Sequence, residues 1–389
     1  MTTLTHVGIH ESLNRNAGDT LLFEEVRRLF DRTLGPVEWN HRQLWEHLDR
    51  PAAAALNQEG HGLVVGGGGL LLRDQAGADA SASGWQWNST AEAIRDLEVP
   101  LVIFAIGYNR FRNQPEFDDV FAEHLTAVVE QAGFVGLRNR GSIEAVGRYL
   151  PASLRDRLVL QQCPTCVLWQ LHDDVPPTVI DHRRSGRRLL RFNVAFDRPE
   201  MRFGDQAEVV LDRLARAMHH AGQSGWEVRV TCHKELDLQI LPYLDAVGAR
   251  YQVDDLTMAG SSDIIDAYAR CDLAVGLRGH AQMVPFGMRV PILSVISHDK
   301  MGWLLDDIGH PEWGVEVGDP ALVDEICDRI DHQSRSADLV HEQLAVAQEA
   351  VWDRTVSNME TVAVALGQTA HDTMPTADGE PPNRAAVHQ

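Results

Sequence analysis

The sequence predicts an α/β protein built from two doubly wound domains facing each other across a cleft. Three observations lead there. Short, continuous apolar runs alternate with Gly-rich or polar turns and then with segments of helical period, the signature of βαβ units whose strands are buried on both faces. That alternation restarts after a polar, basic stretch, Asp181–Arg188. The length of 389 residues also suits two domains at roughly 100–200 residues each.

In the first half, Val7–Ile9 precedes the turn Asn14–Asp19 and then Leu21, Leu22, Val26, Leu29 and Phe30 at helical spacing. Leu63–Val65 runs into Gly66–Gly69, and Leu101–Ala105 runs into Gly107. Phe134–Leu137 precedes a helix capped near Ser142. In the second half, strands are expected at Leu189–Phe196, Val228–Thr231, Tyr251–Val253, Leu273–Val275 and Pro291–Val295. Helices are expected between them at Ala207–His220, Glu235–Val247, Ser262–Arg270 and His280–Gly287. Residues from about Ser336 to Leu366 read as one or two helices ending the second domain. The expected domains are 1–180 and 181–366, with a disordered Pro- and Gly-bearing tail over 367–389.

The balance of 35 Lys and Arg against 56 Asp and Glu gives a net charge of −21. Such acidity excludes wrapping of nucleic acid and electrostatic docking on anionic lipid, but not a small basic pocket. No apolar run approaches the ~20 residues of a membrane helix, and no secretory leader pattern opens the chain. Five cysteines make no disulfide framework, and a reducing cytoplasm is the expected location. Cys163-Pro-Thr-Cys166 lacks a second pair to complete a zinc site, so packing thiols are expected there. Trp85 and Trp87 read as core residues, with stacking on a sugar as the alternative.

The segment Gly276–Lys300 carries the most chemistry. Arg278 and His280 follow an apolar strand, at the edge where open α/β sheets bind ligands, and Lys300 follows the next strand. The turn holding Asn16, Gly18 and Asp19 offers backbone N–H groups to a phosphate or sugar, or Asp19 simply caps the helix. Gly67 and Gly68, within the four-glycine run, permit close approach of a ligand or another backbone, but the run is not a dinucleotide fingerprint. Arg138 and Arg140 follow a strand end and suit a phosphate or carboxylate clamp, or a solvated turn. His233 and Asp237, four apart, suit a proton-transfer pair or an ordinary helix start.

In order and spacing, these segments resemble the polysaccharide pyruvyltransferase family over roughly residues 6 to 318. The matching features are Asn16, Gly18 and Asp19, the GGGG run, Ile106-Gly107, Arg138-x-Arg140-x-Ser142, the Cys-Pro-Thr at Cys163, Arg278-x-His280 and Lys300. The resemblance implies two Rossmann-like domains of GT-B type. It implies transfer of a pyruvyl group from phosphoenolpyruvate onto two hydroxyls of a saccharide or glycoside, free or lipid-linked, giving a cyclic ketal and phosphate. Phosphoenolpyruvate is then a co-substrate, and neither a metal nor another cofactor is called for. His280 is the expected proton carrier with His233 in reserve, Arg278 and Lys300 meet one anionic group, and Arg138 or Arg140 meets the other. The chain departs from the family at Gly279, where leucine is frequent, and at Asn139, where aspartate is frequent. Two rival readings remain at this level: a nucleotide-sugar glycosyltransferase on the same fold, and a non-catalytic homologue that binds phosphoenolpyruvate or a saccharide.

Overall fold

The computed structural model describes residues 2–9, 16–172 and 188–367. The expected boundary near residue 180 and the tail after Gly367 lie outside the described residues, as do Asn14 and Arg15 of the first turn. In the first half the strands are β1 (Thr2–Gly8), β2 (Val37–Gln43), β3 (Gly62–Leu71), β4 (Leu101–Tyr108), β5 (Phe134–Leu137) and β6 (Leu158–Leu160). In the second half they are β7 (Arg188–Asn193), β8 (Trp226–Cys232), β9 (Gln252–Asp255), β10 (Leu273–Gly276), β11 (Ile292–Ile296) and β12 (Gly314–Glu316).

They form two parallel sheets, ordered β2-β1-β3-β4-β5-β6 and β12-β11-β10-β7-β8-β9. Strand order reverses between β1 and β3 in one sheet and between β7 and β10 in the other. At such a switch point the two flanking crossovers leave to opposite sides, which opens a crevice beyond the strands' carboxyl ends. Each half therefore carries one such crevice.

The first crevice is shaped by the helix Ala17–Leu34. Asn16 caps it by accepting the Gly18 N–H at 3.1 Å, and Gly35, at φ +76°, ends it. Its buried stripe, Leu22, Val26, Leu29 and Phe30, packs on Leu4, Val64, Val102 and Phe104. Full burial of each such side chain contributes about 1.5–3 kcal/mol.

The long helix Ala337–Ala365 differs from expectation. It returns to the first sheet instead of closing the second domain. Leu344, Val351, Met359 and Val362 join the Leu4–Phe104 core. Asn358 Nδ2 donates to the Leu160 carbonyl at 2.9 Å, and Arg354 Nη1 donates to Gln162 Oε1 at 2.9 Å. The preceding helix, Leu322–Arg335, stays with the second sheet through Leu322, Ile326 and Ile330. This shared core, together with the Arg112 guanidinium bridging to Asp299 and Glu316, fixes the two crevices mouth to mouth.

Candidate active site

Strand-end loops of both sheets feed the cleft between them. From the second sheet come Asp197 and Arg202 after β7, His233 and Lys234 after β8, Arg278 to His280 after β10, and Lys300 after β11. From the first come Asn16 and Asp19 after β1, Gly69 at the end of β3, Asn109 after β4 and Arg138 after β5. The lining includes six cationic side chains, Arg138, Arg198, Arg202, Lys234, Arg278 and Lys300, against the carboxylates Asp19 and Asp197. A protein of net charge −21 thus holds a basic interior cleft.

Arg138 is the least compensated of these cations. Its residue is 4% exposed, and its Nε and Nη2 have no hydrogen-bond partner among the described residues. Burial pushes its pKa down, while Cys163 and Asp19 oppose that shift. The side chain lies across Gly107, where a Cβ would fall 2.0 Å from Arg138 Nε, so only glycine admits it. Beside it, Lys300 Nζ donates to Asn109 Oδ1 at 2.5 Å. Burial, and then Arg138 and Arg202, hold the Lys300 ammonium well below its ordinary pKa. A buried guanidinium and a half-buried ammonium held together, with no carboxylate bonded to either among the described residues, leave a site short of an anion.

Arg278 reaches the cleft, but its fork is already occupied. Asp237 accepts from Nε at 2.9 Å and also from Nη2, and Asp197 accepts from Nη1 at 2.7 Å. Burial alone would lower the Arg278 pKa, and the two carboxylates raise it above its usual value instead. Asp197 is shared, because Arg202 Nη2 also meets it at 3.2 Å. Arg278 is therefore a charged strut of the cleft wall and not the vacant clamp expected from its position.

His280 opens the helix His280–Gly287 and stands against Gly18, where a Cβ would come within 2.2 Å of His280 Nδ1. Its Nε2 lies 3.8 Å from Cys163 Sγ. Burial lowers its pKa to about 4, with Asp19 opposing and Arg138, Lys300 and Arg278 adding to the fall. The imidazole is therefore neutral at pH 7. Cys163 and Cys166 are buried, and burial raises both thiols above their ordinary pKa.

Several expected site residues are placed otherwise. His233 is buried with Nε2 on the Tyr268 hydroxyl at 2.7 Å, and burial holds its pKa well below the usual value. Asp237 accepts from the His233 backbone N–H at 2.9 Å, not from the ring, so the His–Asp pair suggested by their spacing does not form. Arg140 turns away from the cleft, with its side chain 64% exposed and 3.6 Å from Asp307. Gly67 and Gly68 lie under the first helix, where added Cβ atoms would stand 3.2 and 3.3 Å from Leu22; it is Gly69 that reaches the cleft. Asn139 caps the helix Arg140–Gly147 by accepting the Ser142 N–H at 2.7 Å. An aspartate would cap as well but would set a negative charge at this fully buried position, where Asn139 Nδ2 has no partner among the described residues. Asp197, Arg202 and Asn109 have no motif in the sequence that marks them as site residues. They follow β7 and β4, and reading every strand's carboxyl end would have found them.

The neutral buried histidines make acid stability a measurable property. His124 accepts from Trp85 Nε1 at 2.9 Å and lies 2.8 Å from Ser89 Oγ, and burial lowers its pKa to about 3. Its unfolded value is about 6.5, so its contribution is present above that pH and is lost as pH falls, by about 1.4 kcal/mol per unit. His280 acts the same way down to about 4, and Asp307, raised by burial to about 6, partly offsets them. Urea midpoints should fall between pH 7 and pH 5. A flat profile would contradict these assignments.

The sequence model for polysaccharide pyruvyl transferases matches residues 16–300. The chain belongs to the polysaccharide pyruvyl transferase family. The match spans the turn at Asn16, Arg138, the turn at Arg278–His280 and Lys300. Curated proteins give no match. Among solved structures, Anabaena Alr3699/HepE in complex with UDP and glucose is 12% identical, with a TM-score of 0.55, covering 94% of this chain and 100% of that one. The S. aureus MnaA–UDP structure is 10% identical, with a TM-score of 0.56 and coverages of 95% and 99%. The Neisseria meningitidis UDP-GlcNAc 2-epimerase bound to UDP-GlcNAc is 9% identical, with a TM-score of 0.53 and coverages of 94% and 100%. These likenesses establish a GT-B-like fold of two Rossmann-like halves. Among the described residues no helix is long and apolar enough to cross a membrane.

Proposed function

We propose that this transferase-family chain moves the pyruvyl group of phosphoenolpyruvate onto two hydroxyls of a saccharide, forming a cyclic ketal and releasing phosphate. The observation that carries this reading is the buried, unpartnered Arg138 guanidinium beside Lys300. Phosphoenolpyruvate brings a phosphate and a carboxylate, and guanidinium and ammonium groups complement both. In this reading Arg138 and Lys300 hold the phosphate, and Arg202 and the Arg278 strut set the field around the carboxylate. Asn16 and Asp19 close the site from the first helix. No metal or further cofactor enters the scheme.

The doubly charged phosphate raises the His280 pKa from its depressed value, so the imidazole becomes protonated in the complex. His280 gives that proton to the methylene carbon, and C2 becomes electrophilic. The first acceptor hydroxyl adds to C2 and returns a proton to His280. The second hydroxyl displaces phosphate, and its proton leaves with the phosphate. The acceptor supplies both protons, and the ketal carbon ends with two new C–O bonds in place of its bond to the phosphate oxygen and the π bond to the methylene carbon.

The test is incubation with phosphoenolpyruvate and a glycoside, followed by NMR for a new methyl singlet and by phosphate release. His280→Asn keeps hydrogen bonding but cannot cycle a proton. Its turnover should fall by roughly 10²–10⁴-fold while phosphoenolpyruvate binding persists. Unchanged turnover would remove His280 from the proton path.

A further inference from the structure

We infer that the wall of the cleft formed by Trp45 and Gln86 is a subsite for a neutral sugar ring of the acceptor. This rests on the proposed transfer to a saccharide and adds where, and by what chemistry, that saccharide is held. Gln86 is 3% exposed, and its Nε2 donates to the Gly69 carbonyl at 3.1 Å. A carbonyl only accepts, so the amide cannot be turned round, and Oε1 is the free end. That oxygen is buried in the cleft wall and has no partner among the described residues. Trp45 lines the same cleft, and its buried indole Nε1–H likewise has no acceptor among them. An unpartnered acceptor and an unpartnered donor in one wall are matched by hydroxyls, which donate and accept at once.

The wall is built to stay in place. Asn88 Nδ2 donates to the Trp45 carbonyl at 2.8 Å, and the Leu48 N–H donates to the Asn88 carbonyl at 2.7 Å, which pins the two segments together. Trp85 and Trp87, on either side of Gln86, are fully buried beneath it. A Cβ on Gly77, which has φ +89°, would stand 3.1 Å from Trp45 Cγ and Cδ2, so the bare backbone there supports the indole. The neighbouring lining residues Ile9, Leu72 and Gln75 carry no charge. A flat indole, apolar neighbours and unmet hydrogen-bonding groups suit a pyranose, which has an apolar face and a polar rim. Gln86 Nε2 and Asn109 Nδ2 share the Gly69 carbonyl, and Asn109 Oδ1 holds Lys300 Nζ, so a ring on this wall lies next to the anion held by Arg138 and Lys300.

The test is a saturation-transfer NMR titration of the whole protein with methyl β-galactoside, methyl β-glucoside and methyl α-mannoside, with and without phosphoenolpyruvate. At least one glycoside should bind the wild type. Its dissociation constant should rise at least about tenfold in Gln86→Leu and in Trp45→Ala, the scale of one lost hydrogen bond or ring contact. Trp45→Phe keeps the stacking face, loses only the N–H and guards against misfolding of the alanine variant. It should show a smaller rise. Binding of phosphoenolpyruvate, followed separately by thermal shift, should be unchanged in both Trp45 variants. The subsite is overturned if no glycoside binds the wild type, or if Gln86→Leu and Trp45→Phe bind as the wild type does. Glycosides that bind and weaken in the variants, with no phosphoenolpyruvate binding to the wild type, would uphold the subsite and sink the pyruvyl-transfer reading.

Discussion

Arg138→Met should make the protein more stable and unable to hold phosphoenolpyruvate. Arg138 is buried with two guanidinium nitrogens unpartnered, and its charge is disfavoured by its surroundings. Replacing an uncompensated buried charge with an apolar side chain of similar reach removes a desolvation cost, which points to a gain of about 1–3 kcal/mol. The same change deletes charge-assisted hydrogen bonds to the ligand, each contributing about 1.5–3 kcal/mol. Two such bonds correspond to roughly a 10²–10⁴-fold loss of affinity. Urea unfolding of the ligand-free protein and calorimetric titration with phosphoenolpyruvate check the two halves separately. A destabilised variant that binds normally would show that Arg138 is a structural residue.

Asp237→Ala should be the most destabilising single change in the cleft. Asp237 is fully buried and accepts from Arg278, from the backbone N–H groups of His233 and Lys234, and from Asn193 Nδ2. Its removal leaves Arg278 buried with Asp197 as its remaining carboxylate partner and three polar hydrogens unmet. Breaking a buried pair from one side costs about 3–5 kcal/mol. Asp237→Asn keeps an acceptor and should lose less, and adding Arg278→Met to Asp237→Ala should recover part of the loss. Urea midpoints across the four proteins measure this. A loss below about 1 kcal/mol for Asp237→Ala would mean that Arg278 is held by something other than this carboxylate.

The two-domain fold was legible because its central strands are continuous apolar runs. Leu101–Tyr108 and Leu273–Gly276 are buried along their whole length, and such runs stand out in any sequence. β2, Val37–Gln43, was not legible, since an edge strand mixing exposed polar residues with half-buried ones gives no such run. The return of the helix Ala337–Ala365 to the first sheet was also hidden. Its stripe is apolar whichever sheet it meets, and only the third dimension decides.

In the site, position after a strand found Arg278, His280, Lys300 and Arg138 but not which charges are spent. Asp237 belongs to a neighbouring loop in space, so the engagement of Arg278 had no local signal. Arg138 and Arg140 look equivalent in sequence. The cap at Asn139 starts a helix between them and sends one inward and the other to solvent.

The most direct measurement is a thermal-shift panel on the intact protein with phosphoenolpyruvate, UDP, UDP-sugars and GDP-sugars. A ligand at 100 times its dissociation constant adds about 2.7 kcal/mol to stability, which such a panel reads easily. Phosphoenolpyruvate should raise the melting temperature of the wild type and leave that of Arg138→Met where it was, while the nucleotides and nucleotide sugars leave both unmoved. Stabilisation by UDP or a nucleotide sugar, with none from phosphoenolpyruvate, would contradict the account and return the cleft to nucleotide-sugar chemistry.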